Sequence, residues 1–183
     1  MSREAEEWIR LLQLQPHVEG GYYRETYRSE DIVQTVPQRF NNVENNEYVY
    51  CTAIYYLLKS GGDKHSSYSR FHRIKSDEMW HYYDGTTCII IYILNESDGK
   101  CEKKLLGRDI NIGAQLQLVV PHNTWFAAEL LKNDDENHFV LCGCTVAPGF
   151  NFSDFEIAKR QYLLPLFPQY EQIINRLTEE TTT

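Results

Sequence analysis

The sequence predicts one mostly β domain of the sandwich or barrel class, with helices at its two ends. Three observations carry this expectation. Between residues 22 and 146, short runs rich in Tyr, Ile, Val and Phe recur, and turn signals such as Ser60-Gly61-Gly62, Asp84-Gly85 and the Asn-Glu-Ser-Asp-Gly run ending at Gly99 separate them. A helical period is seen only before Pro16 and after Pro148-Gly149. Neither a Gly/Ser linker nor a repeat of roughly 20 to 50 residues divides the chain, and 183 residues suit one well-buried core.

Trp8, Leu11 and Leu12 fall at helical spacing within residues 3–14, and Pro16 stops the run. Gly20-Gly21 then turns the chain into a strand over residues 22–27. Residues 29–47 are polar and Asn-rich, which predicts an exposed loop. Strands are expected over residues 47–58, 78–83, 87–94, 101–106, 115–120, 125–129 and 139–146, with Asp134-Asp135-Glu136 a solvated hairpin tip. Period-two alternation places Arg70 and His72 on one strand face, and Glu78, Trp80 and Tyr82 on one face of the next. Ser153-x-x-Glu156 has the form of a capping box, which predicts a helix running to Leu164 before Pro165 stops it. Pro168 opens a last helix that places Tyr170, Ile173, Ile174 and Leu177 on one face, and the Thr-Glu-Glu-Thr-Thr-Thr tail frays. One domain over 1–183 thus divides into an N-terminal helix (1–15), a β body (16–150), C-terminal helices (151–178) and a tail (179–183).

Charge and composition exclude several function classes. A net charge of −8 and a pI near 5.2 leave little to neutralise phosphates, so nucleic acid is not an expected partner. The apolar run from Cys88 to Leu94 is strand-sized, so no membrane span is expected. The charged N-terminus has no signal-peptide character, which predicts a cytoplasmic protein. Cys51, Cys88, Cys101, Cys142 and Cys144 are then reduced buried thiols, the last two on one strand face. Thirteen Tyr, eight Phe and three Trp suit both strands and ring-binding pockets.

Glu78 and Gly85 keep the E-x6-G spacing of the first cupin motif, with His72 upstream where its second histidine belongs. Residues 113–129, with Pro121, resemble the second motif. The wider set is LQPHVEGGYYRETYR, SRFHRIKSDEMWHYYDG, LVVPHNTWFAAE and GCTVAPGFNFSDFE, spread from residue 14 to 156. This set is similar to the cupin-5 (DUF985) family of the RmlC-like cupin superfamily. The resemblance implies a double-stranded β-helix, or jelly roll, and a homodimer. It implies no settled activity.

Metal-binding cupins resemble one another in using H-x-H, a glutamate and a later histidine. The matching positions here are Arg70, His72, Glu78 and Phe126. Arginine stays protonated and phenylalanine has no donor atom, so His72 and Glu78 would hold no more than a weak or adventitious divalent ion. No cofactor is expected. Alternation turns His81 away from Glu78, and His122 follows Pro121 in a turn; both are read as edge or surface histidines.

The same residues suit a polar organic ligand. His72 and Glu78 are the expected proton-transfer pair. Arg70 offers a bidentate clamp for an anionic group, and Trp80, Tyr82, Trp125 and Phe126 offer flat apolar walls. Metal-free cupins of the nucleotide-sugar epimerase type resemble this arrangement. The leading expectation is therefore an isomerase or epimerase of a sugar phosphate or nucleotide sugar. The competing one is a non-catalytic binder of a nucleotide- or sugar-like ligand, and a third is a storage protein with a vestigial pocket. The plainer reading of each residue is structural: His72 and Glu78 hydrogen-bond Arg70, and Trp80, Trp125 and Phe126 fill a core. Spacing alone reads Glu19 and Asp154 as turn residues and Gly20, Gly21 and Gly149 as backbone devices.

Overall fold

Alternating apolar residues on many short strands need a second apolar face to bury against, and the chain supplies it by folding into two opposed antiparallel sheets. The computed structural model describes residues 4–34, 37–40, 47–61, 67–131 and 137–179. The opening helix α1 (Ala5–Leu12) leads into β1 (Gln15–Pro16) and β2 (Tyr22–Arg28). Then come β3 (Thr52–Lys59), β4 (Tyr68–Arg73), β5 (Asp77–Gly85), β6 (Ile89–Asn95) and β7 (Lys100–Leu106). The last strands are β8 (Gln117–Val120), β9 (Trp125–Leu130), β10 (Phe139–Ala147) and β11 (Glu156–Ile157), before helices α2 (Arg160–Leu166) and α3 (Glu171–Arg176). One sheet has the order β1-β2-β3-β10-β5-β8 and the other β11-β4-β9-β6-β7. Chain neighbours such as β3 and β4 lie in different sheets, the jelly-roll arrangement expected from the sequence.

The main core fills the space between the sheets, with Tyr56, Trp80, Ile91, Phe126 and Cys142 among its members. A second cluster lies outside the five-stranded sheet, where Phe71, Tyr92 and Trp125 meet Leu163, Phe167, Ile174 and Leu177 of the C-terminal helices. A third cluster packs Trp8, Ile9 and Leu12 of α1 against Leu57 and Leu141 of the six-stranded sheet. Leu11 of the same helix is exposed.

Several local expectations are corrected. Asn151, not Ser153, caps the turn after β10: its side chain accepts from the Ser153 N–H at 3.0 Å and opens a 3-10 turn over Phe152–Asp154. Glu156 and Ile157 are drawn into β11 by pairing with β4, so the helix begins only at Arg160 and includes Pro165. Pro165 sits in the last turn of this seven-residue helix, which ends one residue later at Leu166. The long segment 47–58 begins as a strand only at Thr52, and it is an interior strand flanked by β2 and β10. In the polar loop over 29–47, Phe40 is buried against Tyr48, with ring centroids 4.8 Å apart. At the tail, Thr178 is buried and Glu179 pairs with Arg70 at 2.6 Å. Asp134-Asp135-Glu136 and residues 180–183 lie outside the described residues.

Two β-bulges position the site. In β4, Ser69 stands opposite Ala128 and His72 opposite Phe126, so three steps on one strand match two on the other. In β2, Glu25 stands opposite Ile54 and Tyr27 opposite Ala53, leaving Thr26 as the extra residue.

Candidate functional site

The two sheets part at one end around a cavity of about 160 Å³. β2 contributes Tyr23, Glu25 and Arg28, β3 contributes Thr52 and Ile54, β4 His72 and β5 Glu78. His17 and Glu19 enter from the segment between β1 and β2. Phe150, Phe152 and Phe155 close one side as an edge-to-face cluster with centroids 5.0 to 6.3 Å apart.

Four of the titratable groups that line this space, His17, Glu19, His72 and Glu78, are shifted from their ordinary values. His72 is buried, and its Nδ1 lies 2.6 Å from the Arg70 carbonyl oxygen. A carbonyl only accepts, so Nδ1 carries the proton. Burial, with help from the Arg70 cation, pulls His72 down to about 4 and keeps the ring neutral, although the Arg70 carbonyl contact works the other way. Its Nε2 therefore presents a lone pair, 3.2 Å from Glu19 Oε2. Two acceptors do not approach this closely without a proton between them, so Glu19 is the carboxylic acid and donates. The direction of the Glu19 shift agrees: burial pushes it up, and His17, Tyr56 and Arg70 only partly oppose this. His17, also lowered by burial, accepts the Glu19 backbone N–H on Nδ1 at 3.4 Å, which leaves its own proton on Nε2.

Glu78 faces the cavity from the other sheet. Burial raises it to about 8, while the Trp80 and Cys144 side chains favour the carboxylate to a lesser degree. At neutral pH it is mostly a neutral acid that exchanges its proton within the working range of an acid–base catalyst.

Of the residues expected at the site, only His72 and Glu78 line the cavity. Arg70 does not, and the β4 bulge is the reason: it breaks the alternation that would have put Arg70 beside His72. The Arg70 guanidinium instead donates to the Val18 carbonyl and pairs with Glu179, tying the segment before Glu19 and the C-terminal end to β4. Trp80 and Phe126 stand behind the lining. The Phe126 ring is 4.0 Å from that of His72, and Trp80 lies edge-on to Tyr56 and Phe126 in the core. Tyr82 shares the inward face of β5 but lies further along it, its hydroxyl donating to the Gly85 carbonyl at 3.1 Å. Trp125 is outside the five-stranded sheet altogether. Arg73 stacks 4.3 Å over it, and its Nε1–H donates to Glu96 at 2.9 Å. His81 contacts Thr145 at 3.3 Å and His122 contacts Asp77 at 2.7 Å, both away from the cavity. Asp154 accepts from Tyr48 and pairs with Lys75.

These donors do not fit a resident metal ion. Phe126 and Arg70 occupy two of the four ligand positions, and both ring nitrogens of His72 are engaged. Among the described residues no three His, Cys, Asp or Glu side chains converge in ligating geometry.

Sequence reasoning missed His17, Glu19, Glu25 and Arg28. A readable signal existed for the first two: a histidine and a glutamate two apart immediately before a double glycine, where the Gly20 N–H donates to the His17 carbonyl and closes a turn.

Comparisons with known proteins agree with this architecture. The family model described as Cupin superfamily (DUF985) matches residues 6–158. An uncharacterized protein of Saccharomyces cerevisiae, YML079W, is 31% identical over 153 residues, covering 80% of this chain and 71% of the yeast protein. A hypothetical protein from Leishmania major superposes with a TM-score of 0.81 at 32% identity, over 97% of this chain and 100% of that one. Protein SO0799 from Shewanella oneidensis superposes with a TM-score of 0.79 at 32% identity, over 97% and 99% of the two chains. With a family model spanning most of its length and a relative 31% identical over 80% of it, the chain belongs to the DUF985 family of the cupin superfamily.

Proposed function

We propose that this cavity isomerises or epimerises a sugar-like ligand by moving a proton next to a carbonyl group. The observation that supports this most is the Glu19–His72 contact of 3.2 Å, in which His72 is anchored through Nδ1 and Glu19 holds the shared proton. Glu78, raised to about 8, faces them from the opposite sheet. In its ionised form Glu78 takes the C–H proton. The C–H electron pair becomes a C=C bond, the carbonyl π pair moves to oxygen, and Glu19 delivers its proton there to give an enediol. In an isomerisation Glu78 returns its proton to the neighbouring carbon while Glu19 takes the proton of the other enediol hydroxyl. In an epimerisation solvent delivers a proton to the other face of the same carbon, Glu19 takes the enol proton back and Glu78 releases its own to solvent. The Phe150–Phe155 wall supplies an apolar surface for a sugar ring. Sugar phosphates and nucleotide sugars remain the ligand classes of choice.

The test has two stages. Sugar phosphates and nucleotide sugars are screened for a rise in melting temperature. Each hit is then incubated with the protein in D2O, and deuterium entry next to the carbonyl is followed by NMR. Enzyme-dependent exchange that disappears in Glu78→Gln and Glu19→Gln supports the reading. Ligands that stabilise the protein but never exchange identify a binding protein instead.

A further inference from the structure

We propose that Arg28 is the anion-recognition residue of this cavity, and that Glu25 is the placeholder which a ligand's phosphate or carboxylate group displaces. The proposal rests on the reading that the cavity takes a small organic ligand, but not on proton transfer.

On a regular strand, residues three apart face opposite sides. The extra residue Thr26 in β2 cancels this, so Tyr23, Glu25 and Arg28 all line the cavity while Tyr27 points to solvent and is 54% exposed. The Thr26 hydroxyl donates to the Ala53 carbonyl at 3.2 Å and holds the bulge. Arg28 Nε and Nη2 donate to the two Glu25 carboxylate oxygens at 3.0 and 2.7 Å, and Nη1 donates to the Phe150 carbonyl at 3.2 Å. The Phe150 contact fixes the direction of the guanidinium and leaves its fork for a carboxylate-shaped partner.

Among the described residues, Arg28 is the one lysine or arginine that lines the cavity. The other basic groups near this end are committed elsewhere, Arg70 to Val18 and Glu179 and Lys75 to Asp154. Deeper in the cavity the lining carboxyls are protonated or paired, so an anionic group has one favourable place, at Arg28. Glu25 and Arg28 side chains are 41% and 46% exposed, and an exposed pair of this kind is worth little and exchanges readily. A ligand anion that reproduces the two-point contact while its ring sits inside the cavity displaces Glu25 at small cost.

The test uses the full-length, isotope-labelled protein. Backbone amides of residues 23–28 and 150 are followed by proton–nitrogen NMR in separate titrations with inorganic phosphate and with acetate. A saturable shift confined to this region is expected for one or both anions, and which one saturates identifies phosphate or carboxylate as the ligand's anionic group. Glu25→Gln frees the fork and should tighten that anion about tenfold, whereas Arg28→Gln should weaken it about tenfold or more. Should Glu25→Gln fail to fold, Glu25→Ala serves in its place. Equal affinities in the native chain and both variants, or no saturable shift even with Glu25 removed, overturn the proposal. Proton exchange at Glu78 is measured separately, so failure of the catalytic reading leaves this result intact.

Discussion

At the scale of single residues, Glu78 and His72 give opposite pH signatures. Glu78 is raised from 4.5 to about 8 in the folded state, so the folded chain holds its proton more tightly than the unfolded chain does. That contribution is complete below 4.5 and is lost as the pH rises through 8, at a slope approaching ~1.4 kcal/mol per pH unit in between. Glu78→Gln mimics the protonated acid. It should fold normally at pH 7 and gain stability relative to the native chain in urea titrations carried from pH 5 to 9. The same substitution should lower turnover by about 10²- to 10⁴-fold, since a general base is removed. Native kcat/KM should rise with pH through about 8, as the base ionises. His72 is depressed from 6.5 to about 4, so it contributes stability above 6.5 that is lost as the pH falls through 4. Urea titrations between those limits should show the native chain weakening with acid more steeply than His72→Asn does. Equal slopes for the two proteins would remove the neutral-imidazole assignment.

At the scale of elements, the turn before β2 decides where Glu19 sits. Gly21 has φ of +68°, and a Cβ there would lie 2.7 Å from Leu58 Cδ2 and 2.9 Å from both the Leu57 carbonyl oxygen and the Tyr56 hydroxyl. The Tyr56 hydroxyl donates to the Gly20 carbonyl at 2.7 Å, so it cannot retreat without releasing the turn. Gly21→Ala is therefore expected to cost about 1–3 kcal/mol by urea unfolding. It should also reduce proton exchange, because the displaced turn separates Glu19 from His72. Full activity in a destabilised Gly21→Ala variant would show that the Glu19 contact is dispensable.

At the scale of the whole molecule, the two outer sheet faces are unlike. The C-terminal helices cover the five-stranded sheet, whereas α1 covers only one end of the six-stranded sheet. Beyond α1 that face carries Tyr55 against Tyr83, ring centroids 5.9 Å apart, with Tyr83 52% exposed. At its margin, β1 pairs with only Tyr22 and Tyr23, so among the described residues the rest of β2 is an open edge. A homodimer that covers this face and edge is the expected assembly. Sedimentation at micromolar concentration should give about twice the 21.5 kDa chain mass, and Tyr83→Glu should shift it toward the monomer. A native chain that sediments as a monomer removes the expectation. No helix among the described residues is long and apolar enough to cross a membrane.

What the sequence determined by itself was set by local chemistry: alternation, turn residues and the E-x6-G spacing of Glu78 and Gly85. These suffice for the two-sheet fold, for most strand positions and for two members of the site, His72 and Glu78, because side-chain period and turn geometry act over a few residues. The tertiary structure alone decided which arginine serves the cavity. Two bulges, at Arg70–Phe71 and at Thr26, each add one residue to a strand and invert the faces beyond it, turning Arg70 out and Arg28 in. A bulge is fixed by the partner strand across the sheet, and one strand read in isolation carries no mark of it. The same holds for Glu19 and His72, which meet only when the segment before β2 folds over β4, 53 positions along the chain from one to the other.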